Sequence, residues 1–277
     1  MNWKGIFTKY QLSFGFTLLL ILVEAFLALL FPLFIGRAIG DAMAGHHSGV
    51  VQLGIIGIAA LLVGVGRRFF DSRFYAKIYQ DISPQVLSRI DGDQSSVKAA
   101  RLGMIHELVE FMENSVPELI SAVISLFGVI IVLATLNLPI FYGCLIVTLI
   151  IGLVYWMSSA ITMRLNKASN DEFEKQVNVL ARNDPAALSD HLRKMMHWNI
   201  KLSDLEAANF SVSWIALMGF LVGSILIATG QTTVEYSILF SLIMYVFQYI
   251  ENVVHLPFFY QHWLRLQEIT HRMTGVG

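Results

Sequence analysis

Six stretches of about twenty residues, holding between them only the charges Glu24, Glu118, Glu235 and Glu251, dominate this 277-residue chain. They run roughly 14–35, 50–66, 116–136, 139–161, 210–229 and 234–254. A helix needs about 20 mostly apolar residues to cross the hydrocarbon of a bilayer. The expected fold is therefore an all-α membrane protein, one six-helix domain over residues 1–277, solvated by lipid. Composition supports this: 56% of residues are hydrophobic and 14% charged, where a soluble domain carries about 25% charge. An ordinary globular enzyme and a disordered chain are both excluded. The net charge of −1 offers no basic surface for nucleic acid. Cys144, the one cysteine, lies inside an apolar run and can form neither an intrachain disulfide nor a thiolate metal cluster. Lys4 and Lys9 precede the first run, but that run is too long for a signal core and lacks a small-x-small cleavage site. It is expected to persist as the first span.

Loops collect Lys and Arg on the cytoplasmic side of a membrane. Of the 19 Lys and Arg residues, all but Arg37 fall at the two termini or in the two long connections, 67–115 and 162–209. Both termini are thus expected to be cytoplasmic. The connections on the other side are short: the segment around Gly45-His46-His47, then Asn137-Leu138, then Gly230 to Thr233. The long ones are poor in Pro and Gly. Their apolar residues recur at helical spacing, as in Leu102, Ile105, Leu108, Val109 and Met112. They are expected to carry the membrane helices well beyond the bilayer as two helical hairpins. Asp91-Gly92-Asp93 marks one turn, with Ser95 or Ser96 as helix cap. Asn183-Asp184-Pro185 marks the other, with Pro suited to the first helical position. Ser95 to Leu136 is expected to form one nearly continuous helix.

This architecture resembles the membrane domain of type I ABC exporters over nearly the whole chain. Its local marks are Phe31-Pro32-Leu33-Phe34-Ile35-Gly36-Arg37-Ala38-Ile39-Gly40-Asp41, closing the first span, and Glu107 to Ile120, leading into the third. The resemblance implies that two copies form a homodimer, that spans four and five cross to the partner, and that the hairpin tips near Asp91 and Pro185 dock on ATPase domains. One departure matters. No G-x-x-x-x-G-K-[ST] phosphate loop occurs in the sequence. Either a separate ATPase subunit docks on the chain, or it transports without ATP. The second option resembles proton-driven peptide importers with an exporter-like fold.

Few residues could carry transport. Glu24 is the only charge in the first span and sits near its middle. A charge there costs about 2.5–3.5 kcal/mol to insert, and burial disfavours the ionised carboxyl. A carboxyl of this kind can carry protons; it can equally be a structural hydrogen bond between helices. In the sixth span Ser241, Tyr245, Gln248, Asn252, His255, Phe259 and His262 recur at spacings of four and three, along one face. Lipid cannot satisfy such a stripe, so it faces a cavity or another helix. Ser241, Tyr245, Gln248, Asn252 and Phe259 are the substrate-cavity candidates. Glu24, Glu251 and His255 are the proton-coupling candidates, with Glu251 placed to pair with Gln248 or His255. Pro257 is expected to free the carbonyl of Val253 and kink the helix. The aromatics around it are expected to pack or to form an interfacial belt. His46-His47 lack further metal ligands, and Glu118 and Glu235 suit first-turn positions. No nucleophile–base pair or metal constellation is present, so no catalytic residue, metal or cofactor is expected.

The expected function is a proton-coupled, homodimeric transporter of exporter fold in the bacterial inner membrane, moving a small organic or peptide solute, siderophore-like or cationic. Two alternatives stand beside it: the membrane subunit of a split ABC transporter, and a non-transporting scaffold.

Overall fold

The computed structural model describes residues 8–87, 95–181, 184–230 and 235–274. Among them the chain is helical almost throughout. The helices are α1 (Gln11–Met43), α2 (Ser48–Leu87), α3 (Ser95–Glu110), α4 (Val116–Leu136), α5 (Leu138–Glu174), α6 (Gln176–Ala181), α7 (Pro185–Thr229) and α8 (Tyr236–Thr274). A single π-helical turn, Phe111–Ser115, joins α3 to α4. The helix expected from Ser95 to Leu136 is thus continuous apart from this turn. Among the described residues, six helices are long and apolar enough to cross a membrane. The turn near Asp91 lies outside the described residues. At the other tip, the Ala186 N–H donates to Asp184 Oδ1 at 2.9 Å, and Pro185 opens α7 as its sequence suggests. Helix α8 runs unbroken through Pro257.

Short-loop ends are closed by local hydrogen bonds. Asp41 accepts from Ser48 Oγ at 2.6 Å and from the Gly49 N–H at 2.8 Å, capping α2 with a residue of α1. Gly45 turns the chain at φ 78°, a left-handed conformation that favours glycine. Opposite this, α1, α2 and α3 run on into a packed core of their own. Tyr10, Phe74, Tyr75, Ile78, Ile82, Ile105 and Val109 are buried together. The Phe14 and Phe74 rings meet edge to face at 5.0 Å, the favoured quadrupolar geometry. Asp81 accepts from the Tyr10 hydroxyl and, at 2.5 Å, from Lys9 Nζ. The carboxylate beside it holds the Lys9 ammonium above its usual value, and burial pushes the Tyr10 phenol up.

The chain forms two compact units. One comprises Met1–Leu138 with Ala228–Gly277, the other Pro139–Ile227. In the first, α1 packs on α2, α4 and α8, and α4 packs on α8. The α1–α8 seam is unusually close. A Cβ on Gly36 would sit 2.3 Å from the Ser237 carbonyl oxygen, and one on Gly40 would sit 2.9 Å from Ser237 Cβ. Gly36 and Gly40 thus face Ser237 and Ser241, a small-xxx-small match that lets backbones approach in lipid. In the second unit, Asn209 Nδ2 donates to Ser158 Oγ at 2.9 Å. His191 Nδ1 lies 3.0 Å from Glu172 Oε1, tying α5 to α7.

Candidate functional site

Four helical segments of the first unit enclose a polar cavity of about 840 Å³. Helix α1 contributes Ile21, Glu24, Ala25 and Ala28, and α2 contributes Arg67, Arg68, Asp71 and Ser72. The π-turn and α4 supply Glu113, Asn114, Glu118, Ser121 and Ser125; α8 supplies Gln248, Glu251, Asn252 and His255. From the π-turn into α4 the lining positions 114, 117, 118, 121, 122 and 125 step by three and one, one face of a helix. The π-turn sets which residues precede that face, and such turns recur at functional sites.

The charged wall is a ladder between α1 and α2. Arg67 Nε donates to Glu24 Oε2 at 2.5 Å, and Arg67 NH1 donates to Asp71 Oδ2 at 3.2 Å. Thr17 Oγ1 in turn donates to Asp71 Oδ1 at 2.7 Å. Thr17 and Glu24 are two turns apart on α1; Arg67 and Asp71 are one turn apart on α2, so all four share the seam. Side-chain exposure falls from 35% at Glu24 to 18% at Arg67 and 3% at Asp71. Glu24 also reaches α2 backbone: a Cβ on Gly64 would meet its Oε1 at 3.2 Å.

The sequence presents Glu24 as an isolated mid-span carboxyl, whereas the structure gives it a guanidinium partner. Backbone register explains the difference. The Gly49 position sits against Ala38, so Glu24 lies about 21 Å along α1 from that contact, and Arg67 about 27 Å along α2, at 1.5 Å per residue. The two side chains bridge the remaining step. Glu24 therefore stands at the level where the short second span ends.

The α8 stripe divides in two. Gln248 Nε2 and Asn252 Nδ2 donate to Ser125 Oγ at 3.3 and 2.9 Å, and these two line the cavity with Glu251 and His255. Gln248 Oε1 is buried and has no hydrogen-bond partner among the described residues. Ser241 and Tyr245, expected in the cavity, are instead spent on the α1 seam. Tyr245 Oη donates to the Leu29 carbonyl of α1 at 2.7 Å, and Ser241 Oγ donates to the Ser237 carbonyl of its own helix at 3.0 Å and reaches the Leu33 carbonyl of α1 at 3.5 Å. Both are 2% exposed. Gly36 draws α8 so close to α1 that no solvent space remains beside them. The side chain of Phe259 lies outside the described residues. Glu118 takes its first-turn position in α4 and lines the cavity as well.

Sequence reasoning missed Thr17, Asp71 and Ser125. Glu118, Ser121 and Ser125 at helical spacing carried a usable signal for the α4 face. Nothing in the sequence pairs Thr17 with Asp71, since 54 residues separate them. In the second unit a smaller basic recess of about 440 Å³ is lined by Glu172, Lys175, Arg193, Lys194, His197 and Trp198. Its cations are engaged locally: Lys175 with Glu172, Arg193 and Lys194 with Asp190.

Residues 3–236 match the family described as the ABC transporter transmembrane region. No curated protein matches the chain.

Proposed function

We propose that this chain, which belongs to the ABC transporter transmembrane family, is a proton-coupled homodimeric transporter that moves a small organic or peptide-like solute on the proton gradient rather than on ATP. The observation that carries this is the cavity, in which Glu24, Glu251 and His255 face one space of about 840 Å³. That volume falls in the range of organic-ligand sites. Ionisable groups inside a membrane protein usually mark a pathway. Glu24 is the coupling residue and Glu251 and His255 its relay; Gln248, Asn252 and Ser125 supply neutral hydrogen-bonding capacity for the solute. The charge bias of the loops supports cytoplasmic termini, and the membrane assigned in this reading is the bacterial inner membrane. In this reading a second copy completes the cavity, which then opens alternately to the two sides of the membrane.

The test is uptake or efflux by purified protein in liposomes, screened with short peptides and with hydroxamate or catecholate chelators. Transport should persist without ATP and collapse with a protonophore. Glu24→Gln keeps shape and removes titration, so proton-driven flux should fall at least about tenfold, the factor that 1.4 kcal/mol produces. Transport that appears only when an ATPase subunit and ATP are added would establish the split-transporter alternative. That alternative draws on the family membership and on the start of α7, where the Ala186 N–H donates to Asp184 Oδ1.

A further inference from the structure

Arg67 touches two carboxylates at once, and their surroundings differ sharply. Glu24 borders the cavity and is 35% exposed, while Asp71 is 3% exposed and held also by Thr17. One cation between two anions leaves the trio with a net charge of −1 when all are ionised. Protonating Glu24 brings the trio to zero. The guanidinium then still has a carboxylate 3.2 Å away, and its fork can serve two acceptors without moving far. An arginine paired with Glu24 alone would be stranded by the same proton, and an uncompensated buried charge is strongly destabilising.

We propose that Asp71 is the positioning residue of the proton site: it retains Arg67 when Glu24 takes up a proton, so that Glu24 can be neutralised without dismantling the α1–α2 seam. This rests on the proton-coupled reading and deepens it. The proton comes from cavity water onto a Glu24 carboxyl oxygen, and the contact between Arg67 and Asp71 stays in place. Asp71 also lines the cavity, but it is not the carrier, because Thr17 and Arg67 occupy both its oxygens. The other ionisable groups bordering the trio are Arg68 and Tyr75 on α2, Glu113 in the π-turn, Glu118 on α4, and Glu251 and His255 on α8. Each of these stays in place in the variants below, so it contributes equally to all of them.

The experiment compares Glu24→Gln, Asp71→Asn and the double variant in the full chain, purified in detergent. Each single variant leaves Arg67 one counter-ion, so its Tm should stay within about 3 °C of the parent. The double variant leaves none and should melt at least about 8 °C below the sum of the single effects. Additive losses would overturn the proposal. Infrared titration supplies a readout that a purely structural role would not move. The carboxyl bands identified with Glu24 by their loss in Glu24→Gln should change their pH dependence in Asp71→Asn, where Glu24 is the sole partner of Arg67. An unchanged titration would also overturn it. If Asp71→Asn does not assemble, Arg67→Met/Asp71→Asn and Arg67→Met/Glu24→Gln decide the matter. The first removes the buried pair and leaves cavity-facing Glu24, and should assemble; the second leaves Asp71 buried alone, and should not. The reverse order would refute the proposal. Loss of proton-driven flux in Glu24→Gln without the titration shift would sink the role of Asp71 and spare the transport reading. The shift without proton-driven flux would do the opposite.

Discussion

Replacing Gly36 by alanine tests how much of this protein's stability resides in one close helix approach. The added Cβ would lie 2.0 Å from Ser241 Oγ, 2.3 Å from the Ser237 carbonyl oxygen and 3.0 Å from the Ser241 nitrogen, against an ordinary contact of 3.4–4 Å. A serine hydroxyl can rotate away; a helix carbonyl cannot. The axes of α1 and α8 must separate by about 1 Å, a strain worth roughly 1–3 kcal/mol by analogy with overpacked cores. The same displacement stretches the bond from Tyr245 Oη to the Leu29 carbonyl, now 2.7 Å, past the length at which it counts as a hydrogen bond. Tyr245 is 2% exposed, so its orphaned hydroxyl costs about 1–3 kcal/mol more. The combined loss of about 2–6 kcal/mol corresponds to a Tm lower by roughly 5–20 °C. Size-exclusion chromatography of heated detergent extracts, followed by tryptophan fluorescence, measures it. Adding Ser241→Ala removes the nearest clash and leaves the carbonyl, so it should not restore stability. Gly15→Ala is the control, since a Cβ there meets nothing within 4 Å and alanine favours the helix. If Gly36→Ala melts with Gly15→Ala, the backbone contact is not what holds this seam.

Two further outcomes are expected. Ser125→Ala should strand the amide donors of Gln248 and Asn252 that now converge on one hydroxyl. A loss of about 1–2 kcal/mol in thermal or denaturant unfolding would show it, and an unchanged protein would mean that water replaces the hydroxyl freely. Cys144 is fully buried and should resist a maleimide reagent in the folded protein, then label completely in SDS; rapid labelling of the native form would contradict its packing.

The sequence by itself determined the number of spans, the sparse polar positions and the extension of helices past the apolar runs. These follow from local chemistry: twenty apolar residues are readable as a span wherever they occur, and a 3.6-residue period shows a helix face before its partner is known. It also set the α8 stripe on one face. It did not reveal that Ser241 and Tyr245 leave the cavity while Gln248 and Asn252 enter it, because that division depends on how closely a glycine on another helix allows approach. Nor did it supply Glu24 with Arg67. A lone carboxyl in an apolar run looks unpaired until the register of α1 against α2 is known, and the Gly49–Ala38 contact fixes that register. Thr17, Asp71 and Ser125 became part of the site for the same reason. Periodicity assigns a residue to a face, but only the tertiary structure sets the rotation and depth at which two faces meet, and hydrogen bonds and ion pairs are decided over a few ångströms of each.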